Sequence, residues 1–184
     1  MSGFSAPDQA LCRRLAAVRL LALDVDGVLT DGRLFFTAQG DEAKAFNIQD
    51  GLGIKLLRRA GVEVALITGR TSPLTARRAA DLQLTYLVQG REDKKEALAE
   101  LLQTLGLQFS EVAYVGDDLP DLGAIESVGV GITVANAHWA VRERAHHVTR
   151  HAGGDGAVRE VCDLILHARG QLDAVIGAYR GEPS

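Results

Sequence analysis

Short apolar runs that end abruptly in polar residues recur along the chain, and most are followed by residues spaced for one face of a helix. Residues 20–25 form the first such run, preceded by Leu11, Leu15 and Val18 at helical spacing. Residues 62–67, 86–88, 112–115 and 130–134 repeat the pattern. Runs this short, apolar at nearly every position, predict strands buried on both faces. Leu52, Leu56, Leu57 and Ala60 mark a helix that Gly61 stops, Ser72-Pro73 forms a cap and first turn for the next, and residues 93–105 predict a third closed by Gly106. After the loop Gly153-Gly154-Asp155-Gly156, the spacing of Val158, Val161, Ile165 and Leu166 predicts a helix over residues 157–166, and residues 181–184 read as a loose end.

Strand and helix in alternation predict an α/β fold, a Rossmann-like, doubly wound parallel sheet with helices on both faces. One pair of runs departs from the alternation. Residues 34–37 and 43–48 flank the turn-forming Ala38-Gln39-Gly40-Asp41, which predicts a β-hairpin inserted after the first strand. No repeat, low-complexity block or linker marks a second domain. Residues 1–184 therefore read as one domain, with the hairpin insertion at 33–48 and a flexible C-terminal tail at 170–184.

Composition narrows the function classes. A length of 184 residues with 47% hydrophobic content suffices for a single core, and a formal charge of -4 lacks the basicity that favours nucleic acid or anionic lipid. Cys12 and Cys162 stand far apart in no ligand-like spacing and suit a reducing compartment. No apolar stretch approaches the roughly 18 residues of a membrane span, and the amino end lacks a secretory pattern. The expectation is a cytoplasmic protein with neither a nucleic-acid nor a membrane partner.

Three polar clusters, Asp24-Val25-Asp26, Thr68-Gly69-Arg70 and Gly116-Asp117-Asp118, each follow an apolar run directly. Open parallel sheets bind ligands beyond the carboxyl ends of their strands, so the three should meet there. Asp24 and Asp26 together repel, and a divalent cation is the usual remedy; adding Asp117 and Asp118 gives an oxygen-rich set suited to Mg2+. A carboxylate such as Asp24 can attack phosphorus, while Asp26 protonates the departing alkoxide and later deprotonates water. Thr68 and the Gly69 amide can hold the transferring oxygens, with Lys94 or Lys95 offsetting charge. Each feature alone has a plainer explanation as a solvated pair, a turn or a surface lysine. Three at the ends of three buried strands do not.

At these residues the sequence resembles the haloacid-dehalogenase-like phosphatases, whose pattern opens with a strand and Asp-x-Asp-Gly-x-x-Thr/Val, matched by Asp24-Val25-Asp26-Gly27-Val28-Leu29-Thr30. The second motif matches at Thr68, the third at Lys94 and the fourth at Gly116-Asp117-Asp118-Leu119-Pro120-Asp121. The resemblance implies Asp24 as nucleophile, Asp26 as acid and base, and Thr68 and Lys94 as phosphate binders. It implies magnesium on Asp24, Asp117 and the Asp26 backbone carbonyl, with Asp118 and Asp121 in support. The likeness narrows, through residues 24–32, Asp50-Gly51-Leu52-Gly53 and residues 137–163, to the branch acting on 3-deoxy-D-manno-octulosonate 8-phosphate. That branch lacks a large cap domain and forms homotetramers in which hairpins and neighbouring subunits close the site.

A sugar acid of that kind carries a carboxylate, which suits an arginine fork, and Arg70 and Arg78 are the candidates. Arg70 also favours this substrate over nonulosonate 9-phosphates, whose phosphatases tend to carry glutamate after Thr-Gly. A phosphorelay receiver uses similar parts but lacks a dedicated acid/base two residues after its aspartate, and it places that aspartate on a middle strand in the sequence. A non-catalytic oligomeric relative is the remaining alternative, against which every expected catalytic position is occupied.

Overall fold

The computed structural model describes residues 4–181. Its first sheet strand, β1 (Leu20–Leu23), is buried at all four positions and pairs in parallel with β4 (Glu63–Thr68) on one side and β6 (Val112–Gly116) on the other. Beyond β4 lies β5 (Tyr86–Gln89), and beyond β6 lie β7 (Val130–Thr133) and β8 (His147–Val148), giving six parallel strands in the order β5-β4-β1-β6-β7-β8.

Alternation along β1 feeds two cores. Leu21 and Leu23 pack with Leu15 of α1 (Gln9–Ala16), Ile54 and Leu57 of α2 (Ile48–Arg59), Ala79 of α3 (Pro73–Asp81), and Val158, Val161 and Ile165 of α7 (Ala157–Ala168). Leu20 and Ala22 face the opposite layer, with Leu98 and Leu102 of α4 (Lys94–Leu105) and Ile125 of α5 (Leu122–Ser127). The predicted doubly wound α/β sheet is thus what forms. Truncating a wholly buried residue such as Leu23 to alanine costs about 2–5 kcal/mol.

The local signals act as the sequence predicts at two helix ends. The Ser72 hydroxyl accepts from the Leu74 amide ahead of Pro73, and Gly106 closes α4 in the left-handed region at φ 64°. The hairpin differs from its expected extent. Only β2 (Phe35–Phe36) and β3 (Glu42–Ala43) pair, antiparallel, and the second arm does not continue to Ile48. Asn47 takes over as the cap of α2, its side-chain oxygen accepting from the Gln49 amide at 2.7 Å, so Ile48 opens a helix instead.

Four helices or strands form where none was expected: α5, β8, the single turn α6 (Trp139–Arg142), and α8 (Leu172–Arg180). The last replaces most of the expected flexible tail, because Leu172 is buried in the first core and Val175 packs on it. Residues 182–184 of that tail lie outside the described residues. Nothing larger than the hairpin is inserted between β1 and α2, so among the described residues no large cap covers the sheet edge. Nor is any helix there long and apolar enough to cross a membrane.

Candidate active site

Three adjacent strands deliver the predicted residues to one edge. Asp24 follows β1 and its amide donates to the Val115 carbonyl at 2.9 Å, which fixes its backbone to the neighbouring strand. Thr68 ends β4, Asp117 and Asp118 follow β6, and Lys94 opens α4. Together with Asp26, Gly69, Arg70 and Asp121 they line a cleft of about 350 Å³. The turn beneath the cleft depends on Gly27, which sits at φ 99° and would place a Cβ 2.1 Å from an Asp117 carboxylate oxygen. Thr30 tightens the same turn, its Oγ1 accepting from the amides of Gly27 and Gly32.

Charge in the cleft is concentrated and only partly offset. Lys94 Nζ lies 2.7 Å from Asp24 Oδ1 and 2.7 Å from Asp121 Oδ1, with all three side chains nearly buried. Asp121 Oδ1 also accepts from the Tyr114 hydroxyl at 2.8 Å, and its Oδ2 accepts from the amides of Asp117 and Asp118 at 3.0 and 3.2 Å. Four donors thus occupy Asp121, which leaves Asp24 and Asp117 to face an ion. Oxygens of the three carboxylates lie within 4.8 Å of one another. Burial, then repulsion by Asp121, pushes Asp24 up to about 6 despite Lys94. Burial, then repulsion by Asp24 and Asp121, pushes Asp117 up to about 7. Burial works against the charge on Lys94, but Asp24 and Asp121 outweigh it and raise its pKa.

Like charges at such distances cost about 4 kcal/mol per pair at an effective dielectric of 20. One lysine among three carboxylates leaves an excess of negative charge, and every available donor atom is a hard oxygen. The donor set fits Mg2+ and offers nothing to a soft metal. Asp118 has a separate task, since its Oδ1 accepts from the Leu119 amide and caps the turn that carries Asp121.

Arg70 reaches the cleft from the far side. Its Nη2 lies 3.2 Å from Glu42 Oε1 and its Nε 3.9 Å from Asp26 Oδ2. Arg78 does not join it. Its guanidinium donates to the Asn47 carbonyl at 3.0 Å and stands over the Phe46 ring, so within its own chain it braces the start of α2. Lys44 and Glu42, absent from the expected site, are present in it: Lys44 makes an ion pair with Asp26, and Glu42 bridges Lys44, Arg70 and Ser72. Spacing gave no sign of them, because their partners lie in distant segments.

His147 and His151 gather around the buried Glu160, which also accepts from the Arg150 and His151 amides. Burial raises the Glu160 pKa, but these donors outweigh it and hold it down to about 2. Glu160 steadies residues ahead of Gly153-Gly154, a segment packed so closely under the site that a Cβ on Gly153 would lie 1.7 Å from the Gly27 carbonyl.

Comparison with known proteins agrees with this geometry. The haloacid dehalogenase-like hydrolase family matches residues 83–161. The 3-deoxy-D-manno-octulosonate 8-phosphate phosphatase of Yersinia pestis is 50% identical over 165 residues, covering 90% of this chain and 88% of that protein. Its counterpart in Escherichia coli strain K12 is 51% identical over 160 residues, covering 87% and 85%. The crystal structure of the phosphatase from Moraxella catarrhalis, in complex with a magnesium ion, a phosphate ion and the sugar acid, superimposes with a TM-score of 0.91 at 43% identity over 94% of this chain and 99% of that one. With half its residues shared across nearly the whole length of such relatives and the same fold around the acidic cleft, this chain belongs to the 3-deoxy-D-manno-octulosonate 8-phosphate phosphatase family of haloacid dehalogenase-like hydrolases.

Proposed function

We propose that this protein hydrolyses 3-deoxy-D-manno-octulosonate 8-phosphate to the free sugar acid and phosphate, with magnesium as cofactor. The observation that carries the reading is the placement of Asp24: a buried carboxylate held by Lys94, beside Asp117, at a strand end that opens on the cleft. Asp24 attacks phosphorus, the bond from phosphorus to the sugar oxygen breaks, and Asp26 gives that oxygen a proton. Water then attacks the aspartyl-phosphate while Asp26 takes its proton, which frees phosphate and restores Asp24. Thr68 Oγ1 and the Gly69 amide hold phosphoryl oxygens, and Lys94 offsets their charge. Magnesium, held by Asp24, Asp117 and the Asp26 carbonyl, supplies charge neutralisation for nucleophile and phosphate together.

Arg70, nearly half exposed at the cleft rim, serves the substrate carboxylate. We further propose a homotetramer in the cytoplasm, working in the supply of lipopolysaccharide precursors, with neighbouring chains covering the exposed hairpin. A nonulosonate 9-phosphate is the second reading of the substrate, and Arg70 in place of glutamate weighs against it. Phosphate release with magnesium from a panel of phosphorylated sugars and keto acids, beside an Asp24→Asn control, tests the assignment. A marked preference for the octulosonate ester, lost in D24N, supports it; an even response across the panel removes the substrate, and no magnesium-dependent release removes the chemistry.

A further inference from the structure

The Lys44 side chain is only 1% exposed, although its backbone runs along the surface hairpin. A buried ammonium is costly unless paired, so its partners state its purpose. It makes an ion pair with Oδ1 of Asp26 and lies 3.7 Å from Oε1 of Glu42. Glu42 is itself fixed to the sheet edge, accepting from Arg70 Nη2 at 3.2 Å and from Ser72 Oγ at 3.1 Å. Ser72 caps α3, so the chain of contacts runs from a rigid helix end through the hairpin to the Asp26 carboxylate. The two oxygens of that carboxylate are treated differently: Oδ1 is taken by Lys44, whereas Oδ2 is buried without a hydrogen-bond partner among the described residues, with Arg70 Nε standing off at 3.9 Å. An orphaned buried oxygen at the reacting centre has a use if a substrate atom completes it.

We propose that Lys44 is a positioning residue for the reaction: by holding Oδ1 it presents Oδ2 of Asp26 to the departing sugar oxygen and then to the attacking water. The inference rests on Asp26 as the acid and base. It also makes the hairpin a working part of the site, since the same two-stranded ribbon that carries Phe35 and Phe36 delivers Lys44 and Glu42.

The test compares leaving groups. Lys44→Met keeps the stem and removes the charge. Its kcat on the octulosonate 8-phosphate should fall by between about tenfold and a hundredfold, a fraction of what general acid catalysis supplies, with KM changed by less than about threefold. The first-turnover release of nitrophenolate from p-nitrophenyl phosphate, a leaving group that needs no proton, should stay within about threefold and shows that the variant is folded and nucleophilic. In an Asp26→Asn background, Lys44→Met should add less than about a further twofold. Equal losses on both esters, a change confined to KM, or a full additional loss in D26N would overturn the positioning role alone. A D26N variant with undiminished sugar-phosphate turnover would instead remove the acid/base reading, and this inference with it.

Discussion

The sheet edge and the hairpin beside it invert the usual placement of residues. At the edge, Asp24, Lys94 and Asp121 are each 5% exposed or less, and every one is bonded to another. In the hairpin, Phe35 and Phe36 are 51% and 63% exposed on strands of two residues each. Charge lies inside and aromatic surface outside. The buried carboxylates are tolerated because Lys94, Tyr114 and backbone amides satisfy Asp121, while Asp24 and Asp117 present a pair suited to a cation. The exposed phenylalanines cost little in an isolated chain, but such a ribbon is marginal by itself and invites a covering surface. The edge thus finds partners for its buried lysine and for Asp121 within the chain, whereas the hairpin turns Lys44 inward and presents its phenylalanines outward.

Four measurements bear on that contrast. Asp24→Asn, at the heart of the edge, should lower turnover by at least about a thousandfold, while the metal-free protein melts at a higher temperature at pH 7.5, since a repelling charge is gone; a D24N chain with normal turnover would break the account. Gly153→Ala, which drives a Cβ into the Gly27 carbonyl beneath the cleft, should cost about 2–4 kcal/mol in denaturant unfolding.

Next comes magnesium affinity. Asp24 and Asp117, raised to about 6 and about 7, keep protons in the folded chain that unfolded carboxylates have already released. Metal-free stability from this pair therefore declines as pH rises from about 4 to about 7. Protons also compete with the ion, so affinity by calorimetry should weaken roughly tenfold to a hundredfold from pH 7.5 to 5.5, and the melting shift caused by magnesium should grow over the opposite course. The smallest effect belongs to the hairpin: Phe35→Ser with Phe36→Ser should leave chain stability within about 0.5 kcal/mol, yet move the sedimenting species to a smaller size. A large loss of stability there would mean that the ribbon is packed within its own chain.

Much of this arrangement is legible in the sequence because a central parallel strand must be apolar on both faces. Leu20 to Leu23 and Val112 to Val115 can be little else, and the acidic residues directly after them have only the sheet edge to occupy. The acidic cleft follows from those two facts. Lys44 does not, since it sits among Ala43, Ala45 and Phe46, and nothing local says that its ammonium turns inward to a carboxylate of a distant segment. Arg78 shows the reverse: a cation near the right motif, committed instead to the Asn47 carbonyl and Phe46. Helix α8 is different again, because Leu172, Val175, Ile176 and Tyr179 carry helical spacing, a signal that the tail reading passes over.

Strand order across the sheet has a consequence in time. Of the six strands of the sheet β1 is synthesised first, but it occupies a central position between β4 and β6, which are synthesised later. Through that interval a segment apolar on both faces has no sheet to enter, and long-range parallel pairing is slow to form. The nascent chain therefore carries this apolar segment, buried at every position in the finished sheet, without its neighbours until β4 and then β6 have been made. The acidic cluster is likewise assembled across the chain's length, since Asp117 and Asp121 are made long after the Asp24 they stand beside, and the Gly153-Gly154 segment packed beneath them later still.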